Sequence, residues 1–154
     1  MGCRPEAATL SIPNDNSMEM SPARARRLKR VLIADDDADV CTLLARVLVP
    51  SCHVTTVHDA EAALAMLASS QPFDMIISDF MLPGITGLEF VSRVRSHECS
   101  TRTPILMISG HDPSDIGDLA RQAGADAFLN KPFTLTQLRR AVDNLLGGAR
   151  ISFA

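Results

Sequence analysis

Five short apolar runs alternate with five stretches of helical periodicity in this 154-residue chain. Parallel strands need a crossover between them, and a helix is the usual crossover, so strict alternation predicts a parallel sheet covered by helices on both faces. We therefore predict an α/β fold with a doubly wound five-stranded parallel sheet in the order 2-1-3-4-5, five helices, and a flavodoxin-like three-layer sandwich. The predicted strands are residues 31–34, 54–57, 75–79, 104–108 and 127–129.

The predicted helices have recognisable ends. Pro50 stops the first helix, predicted over 38–49, because proline cannot continue a helix interior. Capping side chains precede the next four: Asp59, the pair Thr86 and Glu89, Asp112 with Pro113, and the pair Thr134 and Gln137. The apolar faces predicted for helices one, three and five are, in turn, Val40, Leu43, Leu44, Val47 and Leu48; Leu88, Val91 and Val94; and Leu135, Leu138, Val142 and Leu145.

Charge is distributed unevenly along the chain. Residues 1–30 carry six basic and three acidic side chains, whereas the remainder carries nine basic and fifteen acidic ones. An acidic domain repels phosphate backbones, so we expect no direct DNA binding by the folded part. The basic run at 24–30 is interpreted as a solvated linker drawn toward that domain, with an acidic partner, a membrane surface or nucleic acid as alternatives.

We divide the chain into a disordered tail over 1–28, one domain over 29–148 and a short tail over 149–154. With six residues after the domain, we expect a stand-alone module without a C-terminal effector domain. The four cysteines lack CxxC spacing and suit reduced thiols of a cytoplasmic protein. No run approaches the roughly 18 apolar residues of a membrane helix, so no membrane association is expected.

Side chains with useful chemistry follow four of the five predicted strands: Asp35 and Asp36, then Asp79, Ser109 and Lys131. Strands one and three flank the switch point of the predicted sheet, so the three aspartates should converge there. Neighbouring carboxylates raise one another's pKa unless a cation neutralises them, and Mg²⁺ prefers such oxygen ligands. One aspartate of the run at 35–37 is expected to cap the first helix instead.

Lys131 is the only lysine among the nine basic residues after position 30. Its compact ammonium suits a phosphate or a carboxylate, whereas an ordinary surface lysine is the alternative. The ordered set of motifs resembles the receiver domain of two-component response regulators over residues 29–148. The motifs are Asp35-Asp36 after a strand, Asp79 followed by Leu82-Pro83-Gly84 and Gly87, Ser109-Gly110, and Lys131-Pro132-Phe133.

The resemblance implies a role for each position. Asp79 would be the phosphoacceptor, attacking a phosphohistidine, while Lys131 and Ser109 would contact the phosphoryl oxygens. Asp35, Asp36, Asp79 and the backbone carbonyl of Met81 would hold Mg²⁺ or Mn²⁺. Ser109 and Phe128 would form the switch that alters the face made by helix four, strand five and helix five. Met81, whose side chain should face the site, and His111 would tune hydrolysis.

The same resemblance implies a phosphorylation switch rather than an enzyme with a diffusible substrate. Its partners would be a sensor histidine kinase or a histidine phosphotransfer protein, and an unidentified downstream protein. It would catalyse only its own phosphorylation and autodephosphorylation. The remaining histidines, His53, His58 and His97, show no metal spacing and are expected to be solvated.

Three alternatives stand beside this interpretation. A haloacid-dehalogenase-type phosphatase would use Asp35 as nucleophile, but it needs an acidic pair after Lys131, where only Asp143 follows, and it leaves Asp79 unexplained. A degenerate receiver could act as a phosphate-independent interaction module. A dinucleotide-binding domain lacks its GxGxxG motif after the first strand.

Overall fold

A computed structural model describes residues 27–148, which form five strands and five helices in strict alternation. All strand pairs are parallel, and the sheet order is β2-β1-β3-β4-β5, as predicted. The strands are β1 Lys29–Ala34, β2 Cys52–Val57, β3 Met75–Asp79, β4 Ile105–Ser109 and β5 Ala127–Asn130. The helices are α1 Ala38–Leu48, α2 Ala60–Ser69, α3 Gly87–Ser96, α4 Pro113–Ala123 and α5 Leu135–Leu146.

Two apolar cores lie on the two faces of the sheet. Successive residues of a strand point to opposite faces, so Val31 and Ile33 face one core while Leu32 and Ala34 face the other. The first core is closed by α1 and α5, and the second by α2, α3 and α4. The central strands are therefore buried on both faces, which explains why their sequences are continuous apolar runs.

Helix capping largely follows the predicted pattern. The Asp37 carboxylate accepts from the amides of Asp39 and Val40, so one aspartate of the 35–37 run is indeed the cap of α1. The other predicted caps also accept amide hydrogen bonds: they are Asp59, Thr86, Asp112 and Thr134, the last in a complete capping box with Gln137. The predicted box at Thr86 is only half formed, because the Glu89 carboxylate pairs with Arg93 at 2.7 Å.

Two predicted core residues are exposed. Leu43 and Leu135 expose 46% and 49% of their surfaces. In α1 the buried positions are Cys41, Leu44 and Leu48, and their spacing places Leu43 at the edge of the apolar face. In α3, Phe90 is fully buried and replaces Leu88, which is half-buried, as the main core contact.

Most of the two predicted tails lies outside the described residues, including the first part of the basic run. The described part of that run contacts its own domain: Arg27 pairs with Asp74 at 3.3 Å, and the Arg30 guanidinium lies 4.9 Å from the centre of the Phe73 ring. Within residues 27–148, Cys41, Cys52 and Cys99 are free thiols. Over the same range, no helix has the length and apolar character needed to span a membrane.

Candidate functional site

The sheet brings the predicted polar residues to one edge. Ala34 pairs with Ser78, so Asp35 and Asp79 emerge side by side at the carboxyl ends of β1 and β3. One carboxylate oxygen from each of Asp35, Asp36 and Asp79 lies within 4.8 Å of the others. Lys131 reaches the cluster from the end of β5, with its Nζ 3.5 Å from Asp35 Oδ2 and 3.6 Å from Asp79 Oδ2.

Asp79 is held by the loop that follows β3. The Phe80 amide donates to Ile108 O and the Phe80 carbonyl accepts from the Gly87 amide, both at 2.8 Å. A Cβ at position 87 would overlap the Asp79 carbonyl oxygen, so only glycine allows α3 to start this close to the strand. Gly84 makes the preceding turn at φ +85°, a conformation that side chains strongly disfavour. The glycines after Asp79 are therefore required by the backbone, Gly84 by its φ angle and Gly87 by its close approach to the strand.

Asp35 and Asp36 lie in different environments although they are adjacent. Asp35 exposes only 2% of its surface, and its Oδ1 accepts from the Asp37 amide at 2.9 Å. Asp36 is exposed to solvent. The Asp35 carboxylate is thus buried with a fixed orientation, whereas the neighbouring Asp36 carboxylate remains accessible to solvent.

The cluster carries more negative charge than its cation offsets. Asp79 exposes 9% of its surface, and this burial, followed by the charge of Asp35, raises the pKa of the Asp79 carboxyl. Lys131 and the backbone amides of Met81 and Phe80 act in the opposite direction without cancelling the rise. Three carboxylates facing one ammonium form a donor set that fits a divalent cation such as Mg²⁺.

Lys131 and Ser109 are held together at the ends of β4 and β5. The Lys131 amide donates to Ser109 O at 2.7 Å, and the Lys131–Pro132 peptide bond is cis. The Ser109 hydroxyl is buried and accepts from the His111 amide at 3.0 Å, with His111 Nδ1 3.5 Å away. The His111 ring also packs against Phe80, with ring centres 5.7 Å apart. His111 therefore lies beside the Ser109 hydroxyl, and its predicted effect on hydrolysis stays a prediction.

Two further predicted residues carry no charge of their own. Met81 exposes 51% of its surface, and its backbone amide donates to the Asp79 carboxylate. The direction predicted for its side chain stays a prediction. Phe128 pairs with Met107 across β4 and β5, and it is half-buried against the core beneath α4. Its position allows both of the roles considered for it, a core residue and a side chain that can turn.

One contact was not anticipated from the sequence. His58 was expected to be solvated, yet its Nδ1 lies 3.1 Å from the backbone carbonyl oxygen of Asp35. The imidazole is still exposed. The sequence could have indicated this contact, because His58 directly follows β2 and therefore lies at the same sheet edge as the aspartates.

Comparison with known proteins now decides the family. The response regulator receiver domain family matches residues 31–143. The chain belongs to this family. Phosphorylation and Mg²⁺ binding are typical of receiver domains, and the Asp35, Asp36 and Asp79 cluster is a group that could hold the metal. Membership gives no support to the phosphatase interpretation with Asp35 as nucleophile.

Relatives of this receiver domain include both short and long proteins. The two-component response regulator ARR5 of Arabidopsis thaliana is 32% identical over 162 residues, covering 97% of this chain and 85% of that protein. Chemotaxis protein CheY of Pseudomonas aeruginosa is 30% identical over 118 residues, covering 75% of this chain and 94% of that protein. The chain spans only 42% of the transcriptional regulatory protein TcrA of Mycobacterium tuberculosis and 17% of the phosphodiesterase regA of Dictyostelium discoideum.

Solved structures show the same architecture. The chemotaxis response regulator CheY4 of Vibrio cholerae superposes with a TM-score of 0.72 at 31% identity, over 77% of this chain and 98% of that one. A response regulator from Chloroflexus aurantiacus gives 0.73 at 33% identity, over the same shares. The receiver fold and its family are thereby established for this chain.

Proposed function

We propose that Asp79 accepts a phosphoryl group from a phosphohistidine of a sensor kinase or a phosphotransfer protein. The observation that supports this most directly is the Asp79 carboxylate itself, which lies at the sheet edge beside Asp35 and Lys131 with its charge only partly offset. Such a carboxylate is a nucleophile beside a ready-made cationic partner.

The proposed transfer is a displacement at phosphorus. An oxygen of the Asp79 carboxylate attacks phosphorus and the P–N bond to the donor imidazole breaks. The bonding electrons go to the imidazole nitrogen, which takes a proton from solvent. The product is an acyl phosphate on Asp79. Water later attacks the phosphorus, returning the free carboxylate and inorganic phosphate.

The side chains around Asp79 have distinct tasks in this proposal. Lys131, already 3.6 Å from Asp79, would pair with one phosphoryl oxygen, and the Ser109 hydroxyl would donate to another. Asp35, Asp36 and Asp79, with the Met81 carbonyl, would hold Mg²⁺, which offsets the negative charge of the phosphoryl group when bound. His111, beside Ser109, and Met81 would influence the approach of water during hydrolysis.

The proposed output is a change in the face made by α4, β5 and α5. Ser109 ends β4 and Phe128 lies one strand away in β5, so movement of the hydroxyl toward a phosphoryl group alters the packing next to Phe128. Phosphorylation adds roughly two negative charges and shifts an existing two-state equilibrium. Because the domain is acidic, we propose that this face contacts a downstream protein rather than DNA. The buried free thiols Cys41 and Cys52 suit a reducing, cytoplasmic setting.

The deciding experiment is phosphorylation by acetyl phosphate with Mg²⁺, read by intact mass. Wild type should gain one phosphoryl adduct, and the adduct should disappear with EDTA and in Asp79→Asn. Asp37→Asn is the matched control, since Asp37 is an exposed cap in the same loop and asparagine caps equally well. An adduct that survives Asp79→Asn would remove Asp79 as acceptor, and no adduct on wild type would favour the phosphate-independent interaction module.

A further inference from the structure

The backbone carbonyl of Asp35 receives two side-chain donors that the proposed function does not use. His58 Nδ1 lies 3.1 Å from this oxygen and Cys41 Sγ lies 3.3 Å from it. A carbonyl oxygen only accepts, so this contact assigns the proton to Nδ1, which then donates to the oxygen. The thiol is the weaker donor of the two. Both donors therefore act on one oxygen, directly beside the candidate metal ligands.

The sheet explains why a side chain is needed there. The Asp35 amide donates to Val57 O at 3.1 Å, which continues the β1–β2 ladder by one residue. In a regular parallel ladder the Asp35 carbonyl would then accept from the amide of Asp59. Asp59 is instead the N-cap of α2, where the chain leaves the sheet. The imidazole N–H of His58 takes the place of the missing ladder amide.

The held carbonyl has a direct effect on Asp36. The Asp35 carbonyl and the Asp36 amide belong to one planar peptide group, so fixing the oxygen fixes the direction in which Asp36 leaves the strand. The Asp36 side chain is exposed, so its position depends on the backbone that carries it. The Asp35 carboxylate is already oriented by the Asp37 amide. His58 thus completes the orientation of the acidic pair.

We propose that His58 is a positioning residue for the candidate divalent-cation site, acting through the Asp35–Asp36 peptide group. This inference rests on the proposed role of Asp35, Asp36 and Asp79 as metal ligands. Groups that orient metal ligands without touching the metal commonly change affinity by about 10–100-fold when removed. Because His58 contacts the backbone and Cys41 remains as a weaker donor to the same oxygen, we expect removal of His58 to lower the affinity for the metal by about 10-fold, at the low end of this range.

Two substitutions separate hydrogen bonding from packing. His58→Phe keeps a ring and removes the donor, whereas His58→Asn keeps an N–H group close to the position of Nδ1. The control is His53→Phe, because His53 is an exposed histidine of β2, five residues before His58 and roughly 16 Å from it. All variants are first compared by thermal melting, so that binding is measured only on folded protein.

The first measurement is Mn²⁺ binding without any phosphodonor, with free Mn²⁺ quantified by its EPR signal. Mn²⁺ accepts the same oxygen ligands as Mg²⁺. We expect the dissociation constant to rise about 10-fold in His58→Phe, to return to within about threefold of wild type in His58→Asn, and to stay unchanged in His53→Phe. Phosphorylation by acetyl phosphate should then need about 10-fold more Mg²⁺ in His58→Phe, with the rate at saturating Mg²⁺ nearly unchanged.

The outcomes distinguish this inference from the function on which it rests. Equal Mn²⁺ affinity in wild type and His58→Phe would overturn the role of His58 alone. A loss of affinity in His58→Asn equal to that in His58→Phe would also overturn it, because packing rather than the hydrogen bond would then be responsible. If wild type binds no Mn²⁺, both the metal site and the inference are wrong.

Discussion

Two charged clusters lie at opposite ends of the sheet, and they are built in opposite ways. At the carboxyl edge, Asp35 and Asp79 share one cation, Lys131, at 3.5–3.6 Å, and the Asp36 carboxylate lies beside them. At the amino edge, Arg95 pairs with Asp126 at 2.7 Å. The same guanidinium donates to four backbone carbonyls, those of Gly124, Ser100, Thr101 and Thr103. We refer to these as the carboxyl-edge cluster and the Arg95 cluster.

The difference lies in how completely each charge is satisfied. Asp126 also accepts from the Ile105 amide at 2.9 Å, so the Arg95 cluster joins the end of α3 to the starts of β4 and β5. In the carboxyl-edge cluster, burial and Asp35 raise the pKa of Asp79, which shows that its charge is under-neutralised. We infer that the first arrangement stabilises the fold, whereas the second is the site that the proposed function assigns to a cation and a phosphoryl group.

The largest expected effect is on stability, in the Arg95 cluster. Arg95→Ala removes the cation that pairs with Asp126 and the donor to several backbone carbonyls, and we expect the free energy of unfolding to fall by about 3 kcal/mol. Arg93→Ala is the control, because its pair with Glu89 is half-exposed and should cost only about 0.4 kcal/mol. Urea unfolding followed by circular dichroism measures both, since the chain lacks Trp and Tyr. Similar losses in the two variants would contradict a structural role specific to Arg95.

The next largest effect is on the rate of phosphorylation. Lys131→Ala removes the cation that would pair with the transferred group, and the rate with phosphoramidate should drop about 100-fold. The metal-free variant should also unfold more easily, because the buried Asp35 and Asp79 carboxylates lose the ammonium at 3.5–3.6 Å, so the rate of phosphorylation is the deciding measurement. Arg139→Ala, at an exposed position of α5, serves as the control. A large loss of stability with an unchanged rate would mean that the two clusters have the same role.

Mg²⁺ should stabilise the protein only through the carboxyl-edge cluster. At ten times its dissociation constant, a ligand specific to the folded state adds about 1.4 kcal/mol. Thermal melts with and without Mg²⁺ should show this gain in wild type, with less than about a third of it in Asp36→Ala. Because Asp36 is exposed, its substitution should leave the fold intact. An equal gain in both proteins would indicate that Mg²⁺ binds elsewhere.

The smallest effect concerns the stability of the metal-free protein. Asp79→Asn removes an under-neutralised buried charge, so in EDTA at neutral pH it should raise the free energy of unfolding by roughly 1 kcal/mol. For a domain of this size, that corresponds to about 4 °C in the melting temperature. Asp37→Asn, at an exposed cap, should change it little. A lower melting temperature in Asp79→Asn would contradict the electrostatic account.

The pH dependence of this gain has a definite sign. The folded-state pKa of Asp79 is raised above the unfolded value, so protonated Asp79 favours the folded state. Its stabilising contribution is complete below the unfolded pKa and is lost as the pH rises through the folded pKa. The free energy of unfolding of Asp79→Asn should therefore exceed that of wild type by an amount that increases as the pH rises from acid to neutral. A difference that widens on acidification would show that the shift has the opposite direction.

Much of the fold and the site could be predicted from local sequence patterns. Apolar runs, caps and turn residues act over a few positions, so they identified all five strands, whereas the order of the sheet was taken from the doubly wound fold class. Residues at a strand end or directly after it, such as Asp79 and Lys131, could be assigned to one edge because parallel strands align their ends. The same reasoning failed for Leu43, since periodicity defines an apolar face but not its exact border.

The sequence by itself determined the doubly wound sheet and the residues that meet at its carboxyl edge. Only the tertiary structure decided which distant groups would contact one another. Arg95 and Asp126 are 31 residues apart, and His58 and Asp35 are 23 apart. Such contacts depend on strand register and on where each loop leaves the sheet, and these follow from the packing of both cores together. No local pattern of charge or hydrophobicity carries that information, so an exposed histidine and an ordinary arginine were the residues left without a predicted role.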